Sequence, residues 1–175
     1  MRRLRPLLVT ALLVACNSSS EGSSAKEVVE QFYAATIAQQ VAGAPTAPQL
    51  DALAPFLSDT LRALLAAARQ RSQADSAREP HEKPAFADGD LFSSLFEGPN
   101  VVEVLADSAR GSLQVATVRM TSTGATPPVT WTDRVLLTRR GNRYVIDDIE
   151  YGGQWGFASK GSLRASLVAG LATPP

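Results

Sequence analysis

The sequence contains one cysteine, one histidine and no excess of either charge, and each scarcity excludes a class of function. One Cys in 175 residues allows neither a disulfide within the chain nor a cysteine-based metal site. One His excludes histidine-rich metal centres. Because 17 basic residues balance 17 acidic ones, the chain lacks the positive charge typical of nucleic-acid-binding proteins. Apolar residues make up 45% of the chain, which is typical of a folded globular protein.

Long hydrophobic runs are also missing, and the one short run lies at the N-terminus. Arg2, Arg3 and Arg5 precede an apolar stretch over residues 7–15. A membrane-spanning helix needs about 20 apolar residues, so this stretch is too short to remain in a bilayer. A basic start followed by a short apolar run is typical of a secretory signal peptide. We therefore expect residues 1–15 to be a signal peptide that is removed on export.

The end of this leader, Leu13-Val14-Ala15-Cys16, resembles the lipobox of bacterial lipoproteins. In that family a diacylglyceryl group is attached to the sulfur, the peptidase cuts before the Cys, and the new amino group is often acylated. The resemblance implies that Cys16 is the lipid attachment site and that the protein carries fatty acids such as palmitate. The alternative is a plain secreted protein in which Cys16 is incidental.

The residues after Cys16 are predicted to form a tether. Residues 16–24 comprise this Cys and the polar stretch NSSSEGSS, which is typical of a flexible linker. Loss of three leader arginines leaves the mature chain at about −3, which disfavours attraction to anionic headgroups, so the acyl chains must supply the anchor. In Gram-negative lipoproteins an Asp after the Cys commonly causes inner-membrane retention. Asn17 therefore points to the outer membrane, facing the periplasm.

Two long helices are predicted at the start of the folded part. Ser24 and Glu27 have the spacing of a capping box, and the apolar residues that follow recur at helical spacing. Gly and Pro residues within 43–48 end this helix, and residues 49–57 are expected to form at most one helical turn. Ser58 caps a second long helix.

A single α+β domain is predicted over residues 25–175. From Val101 onward the apolar residues alternate with period two, and turn residues separate about four runs, which predicts an antiparallel meander. Residues 79–100 form a long apolar connection that we expect to pack onto the domain. A last helix is predicted over residues 162–171. Helices followed by a meander predict helices packed on one face of a curved antiparallel sheet.

This layout resembles the nuclear-transport-factor-2-like fold, in which a bent sheet wraps around a long helix into a cone. The sequence GNRYVIDDI over residues 141–149 is similar to the last hairpin of that superfamily. The segments FLSDTLRALLAAA, GDLFSSLFEGP and YVIDDIEYGG together resemble a bacterial domain family of this fold that is often exported or lipid-anchored. The resemblance covers about residues 25–171. It says little about function, because the fold hosts enzymes, ligand binders, immunity proteins and passive modules.

Cone-shaped folds of this type often hold a pocket between the first helix and the concave face of the sheet. The candidate ligand-binding residues are Tyr33, Trp131, Arg134, Asp148 and Trp155. Aromatic walls with a few polar groups suit a small organic ligand. However, Tyr33 and Trp131 also fit a plain core, and Arg134 lies on the opposite strand face from Trp131 in a regular strand. Without a bulge the five side chains therefore cannot all converge.

The sequence favours a non-enzymatic, lipid-anchored envelope protein whose domain binds a small molecule or another envelope protein. An isomerase or hydratase that uses Asp148 or Tyr33 as acid or base is the second reading, and an immunity or inhibitor protein for an exported effector is the third. Asp88, Asp90 and Glu97 offer oxygen ligands of the kind that calcium takes. Their spacing lacks the fuller ligand ladder, so no metal, no cofactor and no nucleic-acid partner is predicted.

Overall fold

The computed structural model describes residues 23–173, so the predicted signal peptide and Cys16 lie outside the described residues. Within that range it contains four α-helices and four β-strands. In chain order they are α1 (Ala25–Ala38), α2 (Ala47–Leu53), α3 (Asp59–Arg78), β1 (Val101–Arg110), β2 (Leu113–Ser122), β3 (Val129–Arg140), β4 (Arg143–Glu150) and α4 (Leu163–Ala172). This confirms the predicted α+β class. None of the helices over residues 23–173 has both the length and the hydropathy that a membrane crossing requires.

Helices α1 and α3 begin where their caps predict. The Ser24 hydroxyl accepts the backbone N–H of Glu27 at 3.2 Å, and the Glu27 carboxylate accepts the N–H of Ser24 at 2.8 Å. At the start of α3 the Ser58 hydroxyl accepts the N–H of Leu61 at 3.1 Å. Each cap satisfies N–H groups that have no partner inside the helix. The predicted helix starts are therefore confirmed.

Helix α2 is longer than the single turn that the sequence predicted. Its cap is a second capping box, in which the backbone N–H of Thr46 donates to Gln49 Oε1 at 2.9 Å. Pro48 lies in the first turn of α2, where a missing N–H does no harm because that N–H has no helical partner. The expectation of at most one helical turn over residues 49–57 was wrong, because α2 begins before Pro48 and extends to Leu53. A 3₁₀ turn, Ala54–Phe56, then leads toward α3.

The four strands form one antiparallel sheet in the order β1-β2-β3-β4, as the meander predicted. The register of β2 and β3 is regular and pairs Thr117 with Arg134 and Val118 with Asp133. The pairing of β3 with β4 shifts where Leu136 faces Asp148 and Leu137 faces Ile146. A bulge in β4 therefore falls at Asp147, and pairing with β3 continues from Asp148 to Glu150.

Helix α1 packs against one face of this sheet and the two share the core. The fully buried side chains of α1 face those of the strands, and α3 and α4 pack against β4 and each other. The largest fully buried side chains of α1 and the strands are Phe32, Tyr33, Met120, Leu137, Ile146 and Ile149. From the connection over residues 79–100, Phe92 and Leu95 are buried as expected, whereas Phe96 remains 53% exposed. The opposite face of the sheet carries the polar side chains of the outer cleft described below.

Candidate functional site

A buried carboxylate lies at the centre of β3. Asp133 is inaccessible to solvent and accepts hydrogen bonds from four groups. Its Oδ2 accepts the backbone N–H of Ser94 at 2.8 Å and the indole N–H of Trp131 at 3.0 Å. Its Oδ1 accepts the N–H of Gly152 at 2.8 Å and the hydroxyl of Ser94. Because a buried charge is tolerated only when its oxygens are hydrogen-bonded, this arrangement fixes three chain segments around Asp133.

The segment after β4 is held by the same network. The Ser94 hydroxyl oxygen accepts the backbone N–H groups of Gly152 and Gly153, each at 3.0 Å. One residue earlier, the Tyr151 hydroxyl donates to the Leu91 carbonyl at 2.6 Å. Residues 151–153 are therefore bound on one side to the connection over residues 79–100 and on the other to β3. This binding gives the loop a defined position beside the outer face of the sheet.

An open cleft of about 400 Å³ lies on that outer face. Arg134 belongs to it because side chains alternate along β3, so that Asp133 and Arg134 emerge on opposite faces. The cleft is polar, and hydroxyl, amide and charged groups line it together with backbone. Its lining residues are Thr117, Thr132, Arg134, Glu150, Tyr151, Gly152 and Gln154. Gly152 thus touches both the buried network and the cleft.

Two arginines share one carboxylate at the edge of this cleft. Glu150 accepts Nε of Arg134 at 2.8 Å and Nη1 of Arg110 at 2.7 Å. The hydrogen bond from Arg110, followed by that from Arg134, lowers the pKa of Glu150 below its usual range, although partial burial opposes the shift. The same bond raises the pKa of Arg110. The three side chains therefore carry a net charge of one positive unit at neutral pH.

Tyr33, the first of the five predicted binding residues, lies in the core of the domain. It is buried and its hydroxyl donates to the Phe92 carbonyl at 2.9 Å. Burial raises the pKa of the Tyr33 phenol well above its usual value, and the nearby charges of Asp133 and Asp90 act in the same direction. Tyr33 therefore stays neutral. It also borders a second cavity, of about 310 Å³, between the end of α1 and residues 97–100.

Trp131 and Trp155 are brought together, as a shared binding wall would require. Their rings meet edge to face with centroids 5.9 Å apart. The indole N–H of Trp131 is used by Asp133, whereas the buried indole N–H of Trp155 has no hydrogen-bond partner within residues 23–173. Trp155 follows Gln154, which lines the cleft.

Asp148 and Arg134 lie apart from those two rings. Asp148 Oδ1 accepts the backbone N–H of Arg164 at 2.9 Å, in the first turn of α4, and also the N–H of Ile149 at 2.8 Å. An anionic oxygen at a helix N-terminus stabilises the helix. The structure therefore places the five residues at four locations: Tyr33 in the core, the Trp pair beside the buried network, Arg134 in the outer cleft and Asp148 at the start of α4.

Sequence reasoning missed Asp133, Ser94 and Glu150. A signal for Asp133 was present, because it occupies an inward position between apolar residues of β3, where a charged side chain needs partners. No signal identified those partners, since Ser94 lies 39 residues earlier in the chain.

Asp90 is a further group whose environment the sequence did not reveal. It lines the 310 Å³ cavity together with Tyr33 and Glu97. Burial raises the pKa of Asp90 to about 6, although hydrogen bonds from Ser93 and from the backbone of Phe92 oppose the shift. Among the described residues no group of three or more His, Cys, Asp or Glu side chains is arranged to hold a metal ion.

Comparison with known proteins adds one relative. The chain is 28% identical over 140 residues to the uncharacterized lipoprotein YbjP of Escherichia coli (strain K12), a span that covers 80% of this chain and 73% of the relative. No family model matches the chain, and no solved structure matches it.

Proposed function

We propose that this protein is a bacterial lipoprotein of the cell envelope, anchored through acyl chains on Cys16, whose domain is a non-enzymatic binding module. The observation that carries the anchor is the position of the chain's one Cys at the end of the lipobox LVAC. Similarity to a protein named as a lipoprotein, over 80% of the chain, supports it. Asn17 supports placement in the outer membrane, facing the periplasm, if the organism is Gram-negative.

The fold that we propose for the domain is the nuclear-transport-factor-2-like cone. Its support is the packing of α1 against one face of a four-stranded antiparallel meander, together with the resemblance of residues 141–149 to the last hairpin of that superfamily. The proposed binding site is the polar cleft around Arg134. Arg134 is one of the five residues that the sequence predicted for ligand binding, and its cleft is open to solvent.

The engagement of other polar groups supports binding rather than acid–base chemistry. A general base needs a free lone pair within reach of the substrate proton. The Tyr33 hydroxyl donates to a backbone carbonyl inside the core, and Asp148 Oδ1 accepts two backbone N–H groups at the start of α4. The two groups to which the enzyme hypothesis assigned catalysis therefore make structural hydrogen bonds.

The anchor is tested by substituting Cys16→Ser and labelling cells with a palmitate analogue. We expect the wild-type chain to incorporate label and to sediment with membranes until detergent is added. The variant should incorporate none and should either become soluble or accumulate as an uncleaved precursor. Label entering the Cys16→Ser chain, or unmodified Cys16 in mass spectra of native protein, would overturn the anchor.

The binding site is tested by thermal-shift screening of the full chain, purified in detergent, against anionic, cationic and neutral small molecules. Compounds that stabilise the wild-type protein should lose most of that effect in Arg134→Gln and Thr117→Val, because both residues line the cleft. Arg119→Gln is the matched control, since Arg119 pairs with Glu103 on a neighbouring strand and does not line the cleft. Stabilisation that is equal in all three variants would place the binding site elsewhere.

Asp90 favours a second candidate function, an isomerase- or hydratase-like enzyme. A carboxyl with a pKa of about 6 beside a 310 Å³ cavity can both donate and accept a proton near neutral pH, as a general acid or base must. Turnover of a carbonyl or hydroxy-acid substrate by the wild-type chain, lost in Asp90→Asn and retained in Asp148→Ala, would replace the binding module with this enzyme.

A further inference from the structure

We propose that the cleft around Arg134 binds an oxyanion, a carboxylate or a phosphate group of a small molecule. This inference rests on the proposed binding function and names the chemistry of its ligand. The cleft contains donors, a fixed positive charge and a rigid rim, and each of these follows from contacts in the structure.

The cleft offers hydrogen-bond donors to a ligand. Arg134 uses only Nε toward Glu150, so both terminal nitrogens of its guanidinium have no hydrogen-bond partner within residues 23–173. The side-chain hydroxyls of Thr117 and Thr132, which line the same cleft, likewise make no hydrogen bond within that range. Thr117 is the direct cross-strand partner of Arg134, so this hydroxyl and the guanidinium are neighbours on one face. A planar guanidinium matches the two oxygens of a carboxylate or phosphate.

The edge of the cleft also carries positive charge. Glu150 is shared by Arg110 and Arg134, so one positive charge remains uncompensated within the trio. The lowered pKa of Glu150 keeps its carboxylate ionised at neutral pH. The uncompensated arginine charge would repel a cationic ligand, and a neutral ligand would leave that charge without a counter-charge. An anionic group is therefore the ligand that balances this charge.

Hydrogen bonds hold the rim of the cleft in place. Gly152 borders the cleft and its N–H is held by Asp133 and by Ser94 at 2.8 and 3.0 Å. The Gln154 amide donates to the Gly152 carbonyl at 2.8 Å. Because these hydrogen bonds join the rim to β3 and to the connection over residues 79–100, little ordering is left for a ligand to induce, which favours binding of a small group. A volume of about 400 Å³ lies in the lower part of the range for small-molecule sites.

The test is equilibrium dialysis of the full chain in detergent, at low ionic strength, with four radiolabelled probes. Glutarate represents a carboxylate, inorganic phosphate a phosphate group, methylamine a cation and glucose a neutral molecule. We expect glutarate, phosphate or both to bind with a Kd below about 10 mM. Arg134→Gln should weaken that binding at least about tenfold, whereas Arg119→Gln should change it by less than about twofold.

The arms of the experiment separate the outcomes. Binding of glutarate alone identifies a carboxylate ligand, binding of phosphate alone identifies a phosphate group, and either result supports the inference. Equal anion binding by Arg134→Gln, or no anion binding below about 10 mM, overturns it. If methylamine or glucose binds instead and Arg134→Gln abolishes that binding, the oxyanion assignment fails while the proposed binding function stands.

Discussion

Ser94 and Asp133 lie 39 residues apart, both are fully buried, and both the backbone N–H and the hydroxyl of Ser94 donate to the Asp133 carboxylate. This pair joins the long connection after α3 to the centre of β3. Since Ser94 also accepts the N–H groups of Gly152 and Gly153, the same contact fixes the rim of the outer cleft. The position of the cleft thus depends on a network on the other side of the sheet.

Asp133→Ala should be strongly destabilising. The substitution leaves the N–H of Ser94 and the indole N–H of Trp131 buried without an acceptor, and each unsatisfied donor costs about 1–3 kcal/mol. We expect the free energy of unfolding to fall by about 3 kcal/mol, measured by urea denaturation monitored with circular dichroism.

The control for that measurement is Asp107→Ala. Asp107 is exposed on β1 and accepts a hydrogen bond from the Gln114 side chain, so its removal should change stability by less than about 0.5 kcal/mol. If the two alanine variants unfolded at the same urea concentration, Asp133 would not stabilise the fold in the way that its contacts indicate.

The two tryptophans should respond differently to the same substitution. Trp131→Phe removes the indole N–H that Asp133 accepts at 3.0 Å, and we expect a loss of about 2 kcal/mol because a hydrogen bond to a charged group is lost. Trp155→Phe removes a buried N–H that has no partner within residues 23–173, so relief of that penalty offsets the lost contact area. Its change should stay within about 1 kcal/mol. A larger loss of unfolding free energy in Trp155→Phe than in Trp131→Phe would contradict this.

Local signals predicted the elements of the fold well. Ser24 and Ser58 mark helix starts because capping depends on residues three positions apart, and the meander follows from period-two alternation. The start of α2 was predicted wrongly because a proline such as Pro48 can either end a helix or begin one. Proline ends a helix when it falls in the interior but is accepted in the first turn, and the Thr46–Gln49 capping box decides between them.

The candidate site was only partly predictable, because it depends on contacts between distant segments. Arg134 was identified, and its opposite orientation to Trp131 followed from strand alternation. Its partners Glu150 and Arg110 come from β4 and β1, and the chain reverses twice between Arg110 and Arg134. Charge and spacing along the sequence do not encode which strand edges meet. The β4 bulge at Asp147 also changes which residues face Arg134. No glycine at that position predicts the bulge.

Asp90 should make stability fall as pH rises. Its pKa is raised to about 6 in the folded protein, above the value of about 3.9 expected for an unfolded chain. The folded state therefore binds more protons between these values, and ionisation of Asp90 opposes folding above them. Asp90→Asn keeps an oxygen for the N–H of Phe92, which donates at 2.8 Å, and removes the ionisation.

The measurement for Asp90 is the difference in unfolding free energy between Asp90→Asn and wild type as a function of pH. We expect a small difference near pH 4 that grows, in favour of the variant, by at most about 3 kcal/mol as the pH passes 6. Using the difference removes the opposite contributions of Asp75 and Glu150, whose lowered pKa values stabilise the fold as pH rises. A difference that does not change between about pH 4 and 7 would show that Asp90 titrates normally.

Gly152→Ala should damage both the fold and the cleft, whereas Gly156→Ala should damage neither. A Cβ at Gly152 would overlap the carbonyl oxygen of Thr132, which is backbone and cannot rotate away, while a Cβ at Gly156 would meet nothing within 4 Å. Relieving the overlap must move the rim away from β3, and overpacking of this kind costs about 1–3 kcal/mol. We expect a lower midpoint of thermal unfolding and weaker dialysis binding of glutarate or phosphate for Gly152→Ala, with Gly156→Ala equal to wild type in both. If Gly152→Ala kept full stability and full anion binding, the rim would not be fixed by its contact with β3.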